Sequence, residues 1–394
     1  MSPPNTSRLY FDNAATSWPK PDAVYEAVDR AMREVGAPAG RGVYRQAMEA
    51  DRIVTDARRL VAELVGARDP RSIIFTHNGT DSLNMALHGA LHGGGHVVTT
   101  AAEHNSVLRP LHWLEDNRNV DVTHVACDTN GCFTADAVLD AVRDDTRLAA
   151  VIHASNVTGS IAPLETIAKG LADHPAMLLV DAAQSLGHLP IDVERLPVDL
   201  LAAPGHKGLL GPLGTGVLYV RPSAAAHLGT FRQGGTGTDS HSAAQPETLP
   251  EKFEAGNLNV PGLAGLAAGV RHLLDTGLST IREHELQLAE ALMRGLGVIE
   301  GIRLYGSDSS AERVGVVSFN VADTEPQDVA AMLDATHGIQ VRAGLHCAPR
   351  MHEALGTLAS GGTVRLSTGP FNSLDQVEAA VSAVSDLAAA TVVE

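Results

Sequence analysis

Lys207 stands in the run Ala203-Pro204-Gly205-His206-Lys207-Gly208, beyond a strand-like stretch that ends at Asp181. The sequence holds four lysines, Lys20, Lys169, Lys207 and Lys252, and only this one is set in a glycine-rich motif. An amine held this way suits covalent carbonyl chemistry through a Schiff base, and an aspartate can keep a pyridinium nitrogen protonated. Pyridoxal 5'-phosphate (PLP) is the cofactor that needs both. Read alone, the motif also fits a glycine-rich turn carrying a surface lysine.

Other chemistry-bearing residues fall where strand-like runs end. Asn78-Gly79-Thr80-Asp81-Ser82 follows a strand and opens a helix, so its amides and the Thr80 hydroxyl can cradle a phosphate. Ordinary capping by Thr80 or Asp81 explains the same residues, and Asp81 repels an anion unless its carboxylate turns away. His104, in Ala102-Glu103-His104-Asn105-Ser106, can stack on a flat ring or serve as a hydrogen-bonded structural histidine. Asn156 follows a further strand and can bond a ring hydroxyl or a substrate. Gly79 and Thr80, His104, Asn156, and Asp181 with Gln184 thus occupy four strand ends, where open parallel sheets bind ligands.

Cys347 lies in Arg342-Ala-Gly-Leu-His-Cys347-Ala-Pro, a turn-prone segment in which a thiol is accessible. Cys127 and Cys132 flank the turn Asp-Thr-Asn-Gly and read as packing residues; three cysteines without a C-x-x-C pair make no disulfide framework. His88, His92 and His96 recur every four residues, but Gly93–Gly95 interrupts the helix and no carboxylate has zinc-site spacing, so no metal is expected. The glycines of 211–216 precede a strand rather than a helix, unlike a dinucleotide fingerprint.

The formal charge of −17 argues against a nucleic-acid partner. No run approaches the roughly 18 apolar residues of a membrane span, and the polar start lacks a signal-peptide core. A cytoplasmic protein without membrane attachment is expected.

The elements that must position these residues alternate between about 71 and 221. Strands are expected at 72–76, 96–100, 120–126, 148–154, 177–182, 199–203 and 216–220, with helices at 80–92, 107–114, 135–143 and 164–172. Such alternation implies βαβ crossovers and a mostly parallel sheet covered on both faces. Residues 222–261 shift to Gly, Thr, Ser and Pro, a long irregular stretch of functional or interface character. A helical region at 262–296 precedes a smaller α+β part, with strands at 315–321, 340–342 and 364–366 and helices at 327–336 and 374–387.

Taken together, these residues resemble the class V aminotransferase family of fold-type I PLP enzymes, and within it the cysteine desulfurases. The resemblance runs from Tyr10-Phe-Asp-Asn-Ala-Ala-Thr16 through Glu103-His104, Ser155-Asn156, Val180-Asp181-Ala-Ala-Gln184 and Gly205-His206-Lys207 to Val364-Arg365-Leu-Ser. The form Arg342-x-Gly-x-His-Cys347-Ala looks like the group II (SufS-like) desulfurases. The resemblance implies an α/β large domain over 16–264 with a seven-stranded sheet. It also implies a small domain from 1–15 and 265–394, and a homodimer. It implies that L-cysteine becomes L-alanine, with sulfane sulfur passing to Cys347 as a persulfide and on to an acceptor protein or small molecule. Another class V activity is the alternative: a selenocysteine or cysteine-sulfinate lyase, another C–S lyase, an aminotransferase or an epimerase.

By the same resemblance Lys207 carries the cofactor and moves protons. Asp181 pairs with the ring nitrogen, Gln184 bonds the ring hydroxyl, and His104 stacks on the ring. Gly79, Thr80 and His206 hold the phosphate, and Asn156 faces both cofactor and substrate. Arg365 clamps the substrate carboxylate with Ala14 beside it, and Cys347 attacks the substrate sulfur. His346 or Arg342 is expected to raise the thiolate fraction of Cys347. Three positions depart from the pattern. Pro204 replaces a phosphate-binding serine, Asn257 stands where many relatives have threonine (with Thr236 or Thr238 as substitutes), and Leu345 replaces a histidine.

Overall fold

The computed structural model describes residues 8–238 and 241–391. The polar residues 1–7 read above, and the outermost ends of the expected small domain, lie outside them. The described chain opens with β1 (Leu9–Tyr10), α1 (Asp22–Arg30) and α2 (Arg45–Val65). The alternating part follows as β2 (Ile73–Thr76), α3 (Gly79–Ala90), β3 (Gly95–Thr100), α4 (Asn105–Arg118), β4 (Val120–Val125), α5 (Ala135–Asp140) and β5 (Thr146–Ile152). It continues with α6 (Leu164–Gly170), β6 (Met177–Asp181), β7 (Leu200–Pro204) and β8 (Gly216–Val220). Then come α7 (Pro222–Ala225), α8 (Val260–Thr276), α9 (Leu278–Gly297), β9 (Ile302–Tyr305), β10 (Val316–Val321), α10 (Pro326–His337) and β11 (Ile339–Gln340). The last elements are β12 (Arg342–Gly344), α11 (Pro349–Ala354), β13 (Thr363–Ser367) and α12 (Leu374–Thr391).

Seven strands form one sheet in the order β2-β8-β7-β6-β5-β3-β4, parallel except that β8 runs against both its neighbours. Side chains alternate across a strand, and β5 shows the result. Leu148 and Ala150 pack with Leu83 and Leu111 on one face, while Ala149 and Val151 pack with Leu60 and Leu164 on the other. Both faces are therefore core, which is why these strands read as continuous apolar runs.

A second, antiparallel sheet has the order β12-β13-β10-β9 and packs Phe319 and Leu366 against Leu288 and Val384 of α9 and α12. The N-terminal segment ties to this part, since β1 pairs in parallel with β11 and Asp12 bridges to Ser367. It then crosses to the large sheet, where Ser17 Oγ donates to the Lys207 carbonyl at 2.9 Å.

The expected helical region at 262–296 is two helices, because Gly277 adopts φ +84° and turns the chain between them. The expected strand at 340–342 is split between β11 and β12. Helices α1 and α2 and strand β9 were not anticipated. In α2 the buried stripe Ala50, Val54, Ala57, Val61 and Leu64 recurs at helical spacing among charged residues, a clear amphipathic pattern.

Candidate active site

The carboxyl ends of β3, β5, β6 and β7 open on one cavity of about 220 Å³. It is lined by Ala14, Gly79, Thr80, His104, Asn156, Asp181, Gln184, His206, Lys207 and Arg365, ten of the eleven residues expected from the sequence. Arg342 joins them. Cys347 does not line this cavity; it lies in an adjoining groove that shares Thr80, His104 and Ser106 with it.

Lys207 follows β7 in a turn gripped by the N-terminal segment. The His206 carbonyl accepts from Ser17 N (3.1 Å), Thr16 Oγ1 (3.2 Å) and Lys20 Nζ (2.7 Å). Burial lowers the Lys207 pKa to about 8, opposed by the Asp181 carboxylate. Asp181 ends β6, accepts from Ala183 N at 2.9 Å, and is pushed upward by its own burial. A cation set against Asp181 would offset that cost.

His104 caps α4, its Nδ1 accepting from Ser106 N at 3.0 Å, so its ring is fixed. Burial and then the Lys207 charge hold its pKa down at about 4, which leaves the ring neutral. Gln184 Nε2 donates to the Ala14 carbonyl at 3.0 Å. The start of α3 is capped by Asn78 Oδ1, while the Asp81 carboxylate accepts from His77 N at 2.9 Å and pairs with Arg232 at 3.2 Å. Its negative charge is thus neutralised by an arginine.

Arg365 on β13 is 1% exposed. Its Nη1 donates to the Asn156 carbonyl at 2.9 Å and its Nη2 to Asp12 at 2.7 Å. Asp12 was read only as part of a motif, and nothing local in the sequence signals its partner. Glu103, next to His104, is fully buried; burial raises its pKa to about 8, and Thr100 Oγ1 and Ile152 N donate to its Oε1.

Cys347 and His346 both lie in the left-handed region, at φ +60° and +48°. The loop is pinned at three points. Asn156 Nδ2 donates to the His346 carbonyl at 2.6 Å, Asn105 N donates to the Cys347 carbonyl at 2.7 Å, and the His346 ring lies 3.0 Å from the Thr363 carbonyl. Arg342 Nη2 is 3.7 Å from Cys347 Sγ. His346 is buried with its pKa pushed well down by desolvation, so Arg342 is the cation at the thiol. Of the three departures, Pro204 lines the cavity beside Gly79, and Thr236 and Thr238 bond each other on an exposed loop.

The site fits a flat, anionic, hydrogen-bonding cofactor. Asn156 Oδ1, His206 Nδ1 and Arg365 Nε are buried without partners on residues that all line the cavity, and buried polar atoms call for one. A helix N-terminus supplies amides for a phosphate.

A class V aminotransferase family model matches residues 9–380. The chain is 37% identical over 374 residues to a probable cysteine desulfurase of Methanothermobacter thermautotrophicus, covering 94% of this chain and 92% of that one. It is 32% identical over 386 residues to a cysteine desulfurase of Haloferax volcanii, covering 96% and 89%. Its fold superposes on the apo cysteine desulfurase of Thermococcus onnurineus NA1 with a TM-score of 0.91 at 36% identity, covering 97% and 95%. The cysteine desulfurase CsdA of Escherichia coli follows at 0.86 and 29%, covering 98% and 95%.

Proposed function

The chain belongs to the class V aminotransferase family, and from that membership and the cavity's chemistry we propose that it is a PLP-dependent cysteine desulfurase converting L-cysteine to L-alanine. The observation that carries the reading is a lysine, an aspartate and an arginine in one cavity, with an accessible cysteine at its rim.

The bound cofactor supplies an aldehyde that condenses with amines and a protonated ring that draws in electrons released at the α-carbon. Asp181 holds the ring nitrogen, Gln184 the ring hydroxyl, and His104 the ring face. Gly79, Thr80 and His206 hold the phosphate. Arg365 takes the substrate carboxylate with a planar fork suited to it, beside Asn156 and Ala14.

Lys207, whose pKa burial holds at about 8, below that of an ordinary lysine, takes the α-proton. Cys347 Sγ then attacks the substrate sulfur. A sulfur–sulfur bond forms, the carbon–sulfur bond breaks, and protonation at carbon gives alanine, leaving a persulfide on Cys347. Arg342, at 3.7 Å, offers a positive charge where the sulfur becomes anionic.

Transfer from Cys347 to an acceptor, a homodimeric state and a cytoplasmic location belong to the same proposal. Exposed Met32, Val43, Tyr44 and Met48 around α1 and α2 support a subunit contact. Among the described residues no helix is long and apolar enough to cross a membrane.

The test is alanine and sulfide production from L-cysteine with a reductant, in wild type and Cys347→Ser. Wild-type turnover and its loss in the variant are expected; turnover that survives unchanged overturns the reading. Borohydride reduction and peptide mapping should locate the pyridoxyl group on Lys207.

A further inference from the structure

We propose that the groove between α3 and α4 is the docking surface for the sulfur acceptor, and that this acceptor is a protein presenting its cysteine in an extended, acidic segment. The inference rests on the desulfurase reading above. The groove, of about 550 Å³, is walled by two parallel rows: Thr80, Asn84 and His88 from α3, and Asn105, Arg109 and Trp113 from α4. Each row repeats at four-residue spacing, so each is one face of its helix. Cys347 lies at the near end, where its carbonyl accepts from Asn105 N at 2.7 Å. At the far end the rings of His88 and Trp113 stand 5.3 Å apart, with Phe231 5.0 Å from His88.

Eight residues of helix cover about 12 Å, and an extended chain advances about 3.3 Å per residue. The groove therefore matches three or four residues of an extended segment, where a free thiol would fill only one end. Trp113 is 45% and Phe231 39% exposed, and exposed aromatics of this kind anchor protein interfaces. The lining contains Arg109 and no carboxylate, in a chain whose formal charge is −17. An acidic segment is repelled by most of this surface and admitted here, which gives orientation as well as attraction.

The exchange is balanced without an added oxidant. The acceptor thiolate attacks the outer sulfur of the Cys347 persulfide, the bond to Sγ breaks, and its electron pair remains on Sγ as a thiolate. The acceptor leaves as the persulfide.

Two fluorescein-labelled peptides test this on the holoenzyme, Glu-Asp-Cys-Glu-Asp and Lys-Lys-Cys-Lys-Lys, by anisotropy and by transfer of radiolabelled sulfur from loaded Cys347. We expect the acidic peptide to bind and accept sulfur about tenfold better, Arg109→Glu to reverse that preference, and Trp113→Ala to slow its transfer about tenfold. Alanine formation with dithiothreitol should stay within about twofold in both variants, since neither side chain lines the cofactor cavity. Equal behaviour of the two peptides, or variants that change nothing, overturns the proposal. So does glutathione showing the same dependence on Arg109 and Trp113, or variants that dissociate a dimer in sedimentation, which would assign the groove to a second copy. If Cys347 loads no sulfur the desulfurase reading fails instead, and the anisotropy still decides whether the groove takes the acidic peptide.

Discussion

Arg365 and Asp12 form a 2.7 Å ion pair in which the guanidinium side chain is 1% exposed and the carboxylate 22%. The pair fastens the N-terminal segment to β13 and supplies the charge that makes a buried arginine tolerable. Among the described residues it is the one ion pair made by Arg365, which is also the residue proposed to meet the substrate carboxylate.

Asp12→Asn should cost about 2–3 kcal/mol in urea denaturation, at or below the low end for breaking a buried pair because Asp12 keeps contact with water. It should raise KM for cysteine more than it lowers kcat, and Asp12→Glu should recover part of both. A lower KM in Asp12→Asn would mean that Asp12 competes with the substrate rather than orienting its clamp.

Glu103 gives a pH signature. Its pKa is about 8 in the folded chain against 4.5 for the free side chain, so the native state binds more protons between those values and stability falls as pH rises through them. Glu103→Gln keeps an acceptor for Thr100 and Ile152 but removes the titration. The variant should therefore gain on wild type from pH 5 to pH 8, by about 1–3 kcal/mol. Denaturation midpoints at those pH values check this; parallel profiles would exclude it.

Lys207 titrates in the opposite sense. Its pKa is lowered to about 8, so in cofactor-free protein its reductive methylation, followed by peptide mass, should rise through about pH 8 rather than the roughly 10.4 of an ordinary lysine. Because Asp181 raises that value, Asp181→Asn should move the curve further down. An upward shift would contradict the pairing.

Arg342 and His346 flank Cys347 in different ways. Arg342→Ala should slow iodoacetamide alkylation of Cys347 at pH 7.5 by about three- to tenfold. The alkylation profile should show no step from His346 between pH 5 and 7, because that ring is already held neutral. An equal rate in Arg342→Ala would remove the arginine from the thiol's chemistry.

Much of the site was legible because it lies where a parallel sheet gathers its strand ends. Strands buried on both faces read as apolar runs, and their ends brought Gly79, His104, Asn156 and Asp181 into view without any contact being known. What stayed hidden depends on distance or on rotation. Asp12 meets a partner 353 residues away, which no local pattern encodes. His346 adjoins Cys347 in sequence and Arg342 lies five residues before it, yet the left-handed turn at residues 346 and 347 leaves Arg342 beside the sulfur and His346 buried against Thr363. The setting of Cys347 outside the main cavity was likewise invisible. Helices α1 and α2 are clearly amphipathic and were open to the same reading, α2 carrying Ala50, Val54, Ala57, Val61 and Leu64 at helical spacing; they precede the alternating part and carry none of the site residues.

The left-handed pair His346–Cys347, with its carbonyls tied down from two other elements, puts the sulfur on a very short leash. If Cys347 carries sulfur as proposed, a carrier so tethered holds its cargo in place. Whatever collects it must travel the whole way in, so the shape of the doorway sorts the visitors before any bond is exchanged.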